Sequence, residues 1–381
     1  MKPQVKTIAS QPSWVIRGSD VELAVTRLGG HMAPVTFYRN ARKPVRPYYI
    51  SPWQDEGLKV PDPVLAPLRG DFFCLPFGGG GEFQGHFHNT HGESASRNWT
   101  LASAEKCGDV TSLVLTMKTS QPAGKVTKRL MLVEGQQVVY DQHALEGFSG
   151  AYSLGHHATL AMPQRDESVL VATSPIRFGM TNPVATGEPS RGRYQALATN
   201  KRFADLSRVP LIWRQPSYGD CSSFPTRQGF TDIVGVFQAP ALPAWTAATY
   251  VDEGFLWFSL KDPAVLPMTL MWMANCGRHD SPWLGRERCL GLEDVRAFFA
   301  CGLAASARPN VLNRMGIPTT MKFSPSRPVT VNYIQGVVKT PAGFGRVSTA
   351  RFAPGSVTFI SESGKKAAAP VRHEFLNTGE L

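Results

Sequence analysis

The sequence predicts an all-β fold of the sandwich or barrel class, and three observations point there. The 381 residues include 35 Gly and 30 Pro, a supply of turn formers that leaves little room for long helices. The chain is 42% hydrophobic, enough to bury a sizeable core in one large domain. Its apolar residues recur mainly in short runs or in alternation with polar ones, the period of strands.

Taken in order, residues 1–13 read as an irregular lead-in. Val21, Leu23 and Val25 alternate with Glu22, Ala24 and Thr26 as in a half-buried strand, and Gly29-Gly30 marks the turn after it. Residues 40–70 are rich in Pro, which breaks sheet ladders, so they form a long loop of the kind that often serves function. Alternation returns at Leu113, Leu115 and Met117. Residues 126–133 and 137–145 form a hairpin about Glu134-Gly135. Residues 152–162 read as a strand or its end. Residues 175–230 are loop-rich, and Arg191, Arg193, Arg202 and Arg214 lie there without an assignable position. Residues 255–260 and 268–273 are strand-like, whereas 293–306 (EDVRAFFACGLAAS) is the best short helix. Strands resume at 329–338 and 356–360. From Gly364 the Lys/Ala-rich tail reads as frayed. With no internal repeat and no linker, residues 14–363 are expected to form one domain, followed by the tail 364–381.

Forty Lys and Arg against 29 Asp and Glu give a net charge of +11. A basic balance attracts anions, but no run of Lys/Arg has the length of a nucleic-acid tail, so a solvated basic surface is expected and nucleic acid is not expected as a partner. The six Cys are too scattered for a disulfide framework and form no C-x-x-C pair. The first residues lack the apolar stretch of a signal peptide, and no stretch has the length of a membrane span. The expectation is a cytoplasmic protein that does not engage membranes.

Three regions combine residue types that carry chemistry. In the first, Arg69-Gly70-Asp71 precedes a Gly-rich run and three His within six residues, His86, His88 and His91, with Arg97 and Trp99 beyond. Imidazoles transfer protons near neutral pH, guanidinium forks suit hydroxyls, carboxylates or phosphates, and an indole offers a flat face to a sugar ring. A Gly-rich surface loop with solvated His is the bland reading of the same residues. The second region is Gly155-His156-His157-Ala158, where strand alternation puts the two rings on opposite faces, so only one can serve a given site. The third is Cys289-Leu290-Gly291-Leu292-Glu293-Asp294, whose acids would read, taken alone, as the first turn of a helix.

Together these segments resemble the galactose mutarotase (aldose 1-epimerase) superfamily, most closely in motif its hexose-6-phosphate epimerase branch. L-R-G-D-F-F-C-L-P-F-G, then H-G-E-S-A-S-R-N-W, G-H-H-A-T-L and C-L-G-L-E-D follow the family's order over about residues 20–340. The sequence departs from the pattern in three places: Asp71 replaces a Gly, two residues are inserted before Arg97, and Asp294 stands where the family prefers Pro. The resemblance implies a β-supersandwich and a protein that interconverts sugar anomers. It implies Glu293 as base and His157 as acid, with His156 as the alternative acid. His91 would bond the sugar, Arg69 and Arg97 would orient it or bind an anionic substituent, and Trp99 and Asp71 belong to the same substrate-binding group. The partner implied is a sugar or sugar phosphate, with no metal and no organic cofactor. Two other readings stand beside it. One is a sugar-binding or sensor protein without turnover. The other is a cupin-like metal site on His86, His88 and Glu93 after Gly80.

Overall fold

The computed structural model describes residues 3–381. It is built on two large antiparallel sheets, with a four-stranded sheet at the N-terminal end and a three-stranded sheet at the C-terminal end. The nine-stranded sheet runs from Ser223–Phe224 through Val169–Thr173, Ala244–Tyr250, Phe255–Lys261, Val329–Lys339, Val138–Glu146, Ala123–Val133 and Val110–Ser120 to Thr100–Cys107. Its strands Ala244–Tyr250 and Phe255–Lys261 are buried on both faces. Leu130, Val139 and Trp257 enter the main core, while their neighbours Met131, Val138 and Phe258 point into a separate cluster. That second cluster is closed by Val357 and Phe359 of the C-terminal sheet and by Phe375 of the one-turn helix Phe375–Thr378. A strand buried on both faces reads as a continuous apolar run, which is why residues 255–260 lack polar alternation.

The eight-stranded sheet packs on the other face of this core. Its central strands are Phe230–Gln238, Met268–Asn275 and Arg288–Arg296, followed by Leu154–His156 and Phe73–Cys74, with Ala158–Ala161 pairing beside them on Arg288–Arg296. Met271 stands opposite Leu292 in the register, and Met273 opposite Leu290; all four face the core between the sheets. Leu270 and Trp272 face the opposite side. That outer side carries the site.

Three expectations are corrected. Residues 4–17 form a hairpin, Gln4–Ile8 with Gln11–Arg17, rather than an irregular lead-in. Its two-residue turn uses left-handed backbone at Ala9 (φ 44°) and Ser10 (φ 60°), a turn usually signalled by Asn-Gly. Met1 and Lys2 lie outside the described residues. Residues 288–296 are a strand; its pairing on both edges overrides the helical look of 293–306, and helix begins there only at Leu303–Ala307, followed by Val311–Arg314. The tail is not frayed, because Lys366–Pro370 pairs with Ser356–Ser361 and Phe375 is fully buried. All six cysteines are free thiols. Among the described residues, no helix is long and apolar enough to cross a membrane.

Candidate active site

A cavity of about 540 Å³ opens on the outer face of the eight-stranded sheet, within the usual size range for small-molecule sites. Strand register sets its floor. Ile233 lies opposite Trp272, and Leu270 opposite Glu293, so all four side chains share one face. The Pro-rich segment that includes Pro61 and Leu65 walls one side, and the loop-rich middle contributes Asn182, Arg191 and Arg193.

Glu293 and His157 meet at the centre, with His157 Nε2 3.3 Å from Glu293 Oε1. Glu293 is placed by a strand paired on both edges, and Gly291 makes room for it: a Cβ at position 291 would stand 2.4 Å from Oε1. His157 sits at the break between Leu154–His156 and Ala158–Ala161, where its backbone N–H donates to Phe72 O. Its ring stacks on Phe72 at 4.5 Å, and Phe72 stacks on His31 at 3.9 Å. Nδ1 of His157 is 3.0 Å from Thr159 Oγ1, which fixes the ring's rotation. His91, in left-handed backbone (φ 58°), presents its ring edge-on to His157 at 4.8 Å. The Gly78 backbone N–H donates to His91 Nδ1. In the neutral ring the proton is therefore on Nε2, and burial pulls this imidazole down to about 3.

Electrostatics at the pair are governed by burial. Desolvation pushes the Glu293 carboxyl well above the usual carboxylate range, with the Arg278 guanidinium pulling it back. Desolvation likewise holds His157 well below its ordinary value, reinforced by His91, His31 and Arg278. Both charged forms are disfavoured, which favours the neutral pair, with the proton on Glu293 facing His157 Nε2 at 3.3 Å.

Several cavity groups had no motif to announce them. Arg278 lies over the Trp272 and Trp283 rings, at 5.2 and 4.7 Å from their centroids. No hydrogen bond to a described residue engages its guanidinium. Arg193 and Arg191, by contrast, are held by Asp280, Arg193 through both Nε (3.0 Å) and Nη2 (2.6 Å). Trp272 Nε1 and Asn182 Oδ1 are buried polar atoms without a protein partner. The signal that could have found Arg278 was its place between two tryptophans and ahead of Asp280.

Other expected site residues lie elsewhere. Arg69 is fully buried and donates to Pro67 O, Ile8 O, Ala9 O and Gln54 Oε1, tying the Pro-rich loop to the N-terminal hairpin. Arg97 is half-exposed, 3.2 Å from Glu93, and Trp99 is buried with its indole N–H donating to Ser94 O. Asp71 and His156 face the interior between the sheets, 2.9 Å apart. None of these five lines the cavity. The cupin-like set does not assemble either. Glu93 is occupied by Ser120 N and Oγ, His86 is exposed, and neither they nor His88 belong to the group of metal-ligating atoms found among the described residues.

No protein-family model matches the chain, and no curated protein matches it in sequence. Solved structures do match in fold. A galactose mutarotase-like protein from Clostridium acetobutylicum superposes with a TM-score of 0.59 at 10% identity, covering 88% of this chain and 98% of that one. A galactose mutarotase related enzyme from Lactobacillus acidophilus gives 0.54 at 9%, covering 86% and 98%. A galactose mutarotase-like protein from Lactobacillus casei gives 0.53 at 8%, covering 85% and 99%. At such low identity the likeness speaks for architecture alone, and the architecture is plain: the chain adopts the galactose mutarotase-like β-supersandwich fold.

Proposed function

We propose that the protein is an aldose 1-epimerase-type enzyme that interconverts sugar anomers by acid–base ring opening, with Glu293 and His157 as the proton-transfer pair. The observation that supports this most is the 3.3 Å approach of His157 Nε2 to Glu293 Oε1 inside a tryptophan-walled cavity. A cyclic hemiacetal carries its hydroxyl and its ring oxygen on the same carbon, so the groups that serve them must be neighbours. Glu293 takes the proton of the anomeric hydroxyl and His157 protonates the ring oxygen. The bond from C1 to the ring oxygen breaks, an open aldehyde forms, and rotation before reclosure inverts C1. One proton suffices for the pair, because one is taken and one is given. The resting arrangement, with the proton on Glu293, reaches the working one by transfer across a single contact, and Arg278 favours the carboxylate. His91 Nε2–H donates to a sugar oxygen, and the Trp272 and Trp283 faces suit the apolar side of the ring.

A second reading is sugar binding without turnover. It is favoured by the upward push on Glu293, which leaves the base protonated at rest. Anomer exchange followed by NMR separates the two, using neutral hexoses, hexose 6-phosphates and uronic acids. The expected outcome is acceleration for at least one class, lost by about 10²-fold or more in Glu293→Gln. Binding shifts without acceleration would establish the second reading. The same panel decides whether the substrate is phosphorylated.

A further inference from the structure

On the opposite face of the eight-stranded sheet from the cavity lies a cluster of ionisable groups that sugar chemistry does not use. Asp141 and His143 stand two residues apart on Val138–Glu146 and so project from one face of the nine-stranded sheet. His156 approaches them from the facing sheet. None of the three is more than 1% exposed.

One side of the cluster is fully bonded. Trp257 Nε1 donates to Tyr48 OH, Tyr48 OH to Gln335 Oε1, and Gln335 Nε2 to Asp71 Oδ2, which also lies 2.9 Å from His156 Nδ1. There the network stops. Both carboxylate oxygens of Asp141, both ring nitrogens of His143, Nε2 of His156 and Oδ1 of Asp71 are buried without a hydrogen-bond partner. Leaving such a group unsatisfied is costly, and native interiors hold few of them. A proton added at His156 would balance charge yet give no partner to His143, whose ring stacks on Phe73 at 3.9 Å.

A cation would take up one lone pair each from Asp141, His143 and His156. Two imidazoles and a carboxylate are the donor set of borderline first-row divalent metals. One ligand atom from each residue lies within 4.8 Å of the other two. His143 Nδ1 is 3.3 Å from Asp141 Oδ1, and His156, whose Nδ1 is taken by Asp71, offers its unpartnered Nε2. Ligand atoms about a tetrahedral zinc, at roughly 2.0–2.1 Å from the metal, stand about 3.3 Å apart. Lys128, buried nearby with Nζ donating to Gly30 O, opposes a cation; the two carboxylates of Asp71 and Asp141 outweigh it. We propose that Asp141, His143 and His156 bind a first-row divalent metal ion, zinc foremost, that fastens the two large sheets to each other. Asp71 steadies the His156 ring, as carboxylates do for metal-bound imidazoles. Full burial gives the ion no route to substrate, so its role is structural, and it stands or falls independently of the epimerase reading.

The test uses the full chain. Metal content is measured by mass spectrometry as purified, and again after unfolding with chelator and refolding with Zn²⁺ or Co²⁺. The expected result is about one equivalent per chain, a higher melting temperature for metal-refolded than chelator-refolded protein, and visible d–d bands for the Co²⁺ form. Asp141→Asn and His143→Asn should abolish stoichiometric uptake. Recovery of one equivalent of another first-row metal, lost in the same variants, supports the site equally. Absence of uptake and of any thermal shift in the wild type would overturn the proposal, as would uptake unchanged in both variants. Should the variants not fold, the wild-type Co²⁺ spectrum and thermal shift still decide.

Discussion

Gly291 lies two residues before Glu293 on the same strand face, and the contact distances leave no space for a methyl group: 2.4 Å to Glu293 Oε1 and 3.0 Å to Trp272 Cβ. Gly291→Ala must therefore displace the carboxylate from His157, with a lesser push on Trp272. We expect turnover to fall by about 10²-fold, the usual cost of misplacing a catalytic group by an ångström, with sugar binding largely kept; an unchanged rate in the NMR assay would remove Glu293's position from the mechanism. Acid–base behaviour gives a second prediction. The one-proton pair fails in acid when His157 takes a second proton, and in alkali when Glu293 loses its own. Burial sets the first limb low and the second high, and Arg278 lowers both values. Arg278→Met should thus move the whole kcat–pH profile to higher pH; His91, His31 and Cys289 also surround the pair, but keep their places in this variant. Limbs that stay put would separate Arg278 from the pair's titration. At this scale the sequence is legible only in part. Alternation tells that His156 and His157 face apart, but not which faces the cavity. Arg69 reads as a sugar ligand because a guanidinium fork looks the same in sequence whether it grips a ligand or backbone carbonyls.

Among the elements, the C-terminal helix Phe375–Thr378 is short but not peripheral. Phe375 is fully buried and stacks edge-on against Tyr140 at 5.3 Å, and Tyr140 OH in turn accepts from the Arg372 backbone N–H. Phe375→Ala should cost roughly 3–5 kcal/mol, read as a lower urea midpoint with activity per folded molecule retained; a loss below about 1 kcal/mol would mean the outer layer is not integral to the fold. The Lys/Ala composition of 365–369 hides this role, because Ala367 and Ala369 face inward while the residues between them face outward. The strand Arg288–Arg296 misleads for the opposite reason. Glu293-Asp294 ahead of an Ala-rich stretch looks like a helix start, but Asp294 is bonded by Ser259, Thr269, Tyr333 and Lys261 in the interior. Those partners come from other strands, and nothing local to residue 294 reveals them.

For the molecule as a whole, the all-β class is readable because short strand-like runs and abundant turn formers are local properties. Sheet order is not, since neighbours such as Val138–Glu146 and Val329–Lys339 are far apart in sequence. The loops at 40–70 and 175–230 are legible as long, and both reach the cavity, but only the assembled sheet brings them to one mouth. The clamp that Asp280 places on Arg191 and Arg193 changes how the net charge of +11 is felt by an arriving solute. Two of the three cavity arginines are matched by Asp280 and Glu188 together, and the surplus elsewhere on the surface is screened within about 8–10 Å at physiological ionic strength. Long-range attraction therefore contributes little at the entrance. Discrimination by charge falls to contact inside the cavity, where the Arg278 guanidinium, free of hydrogen-bonded carboxylates among the described residues, meets the arriving molecule.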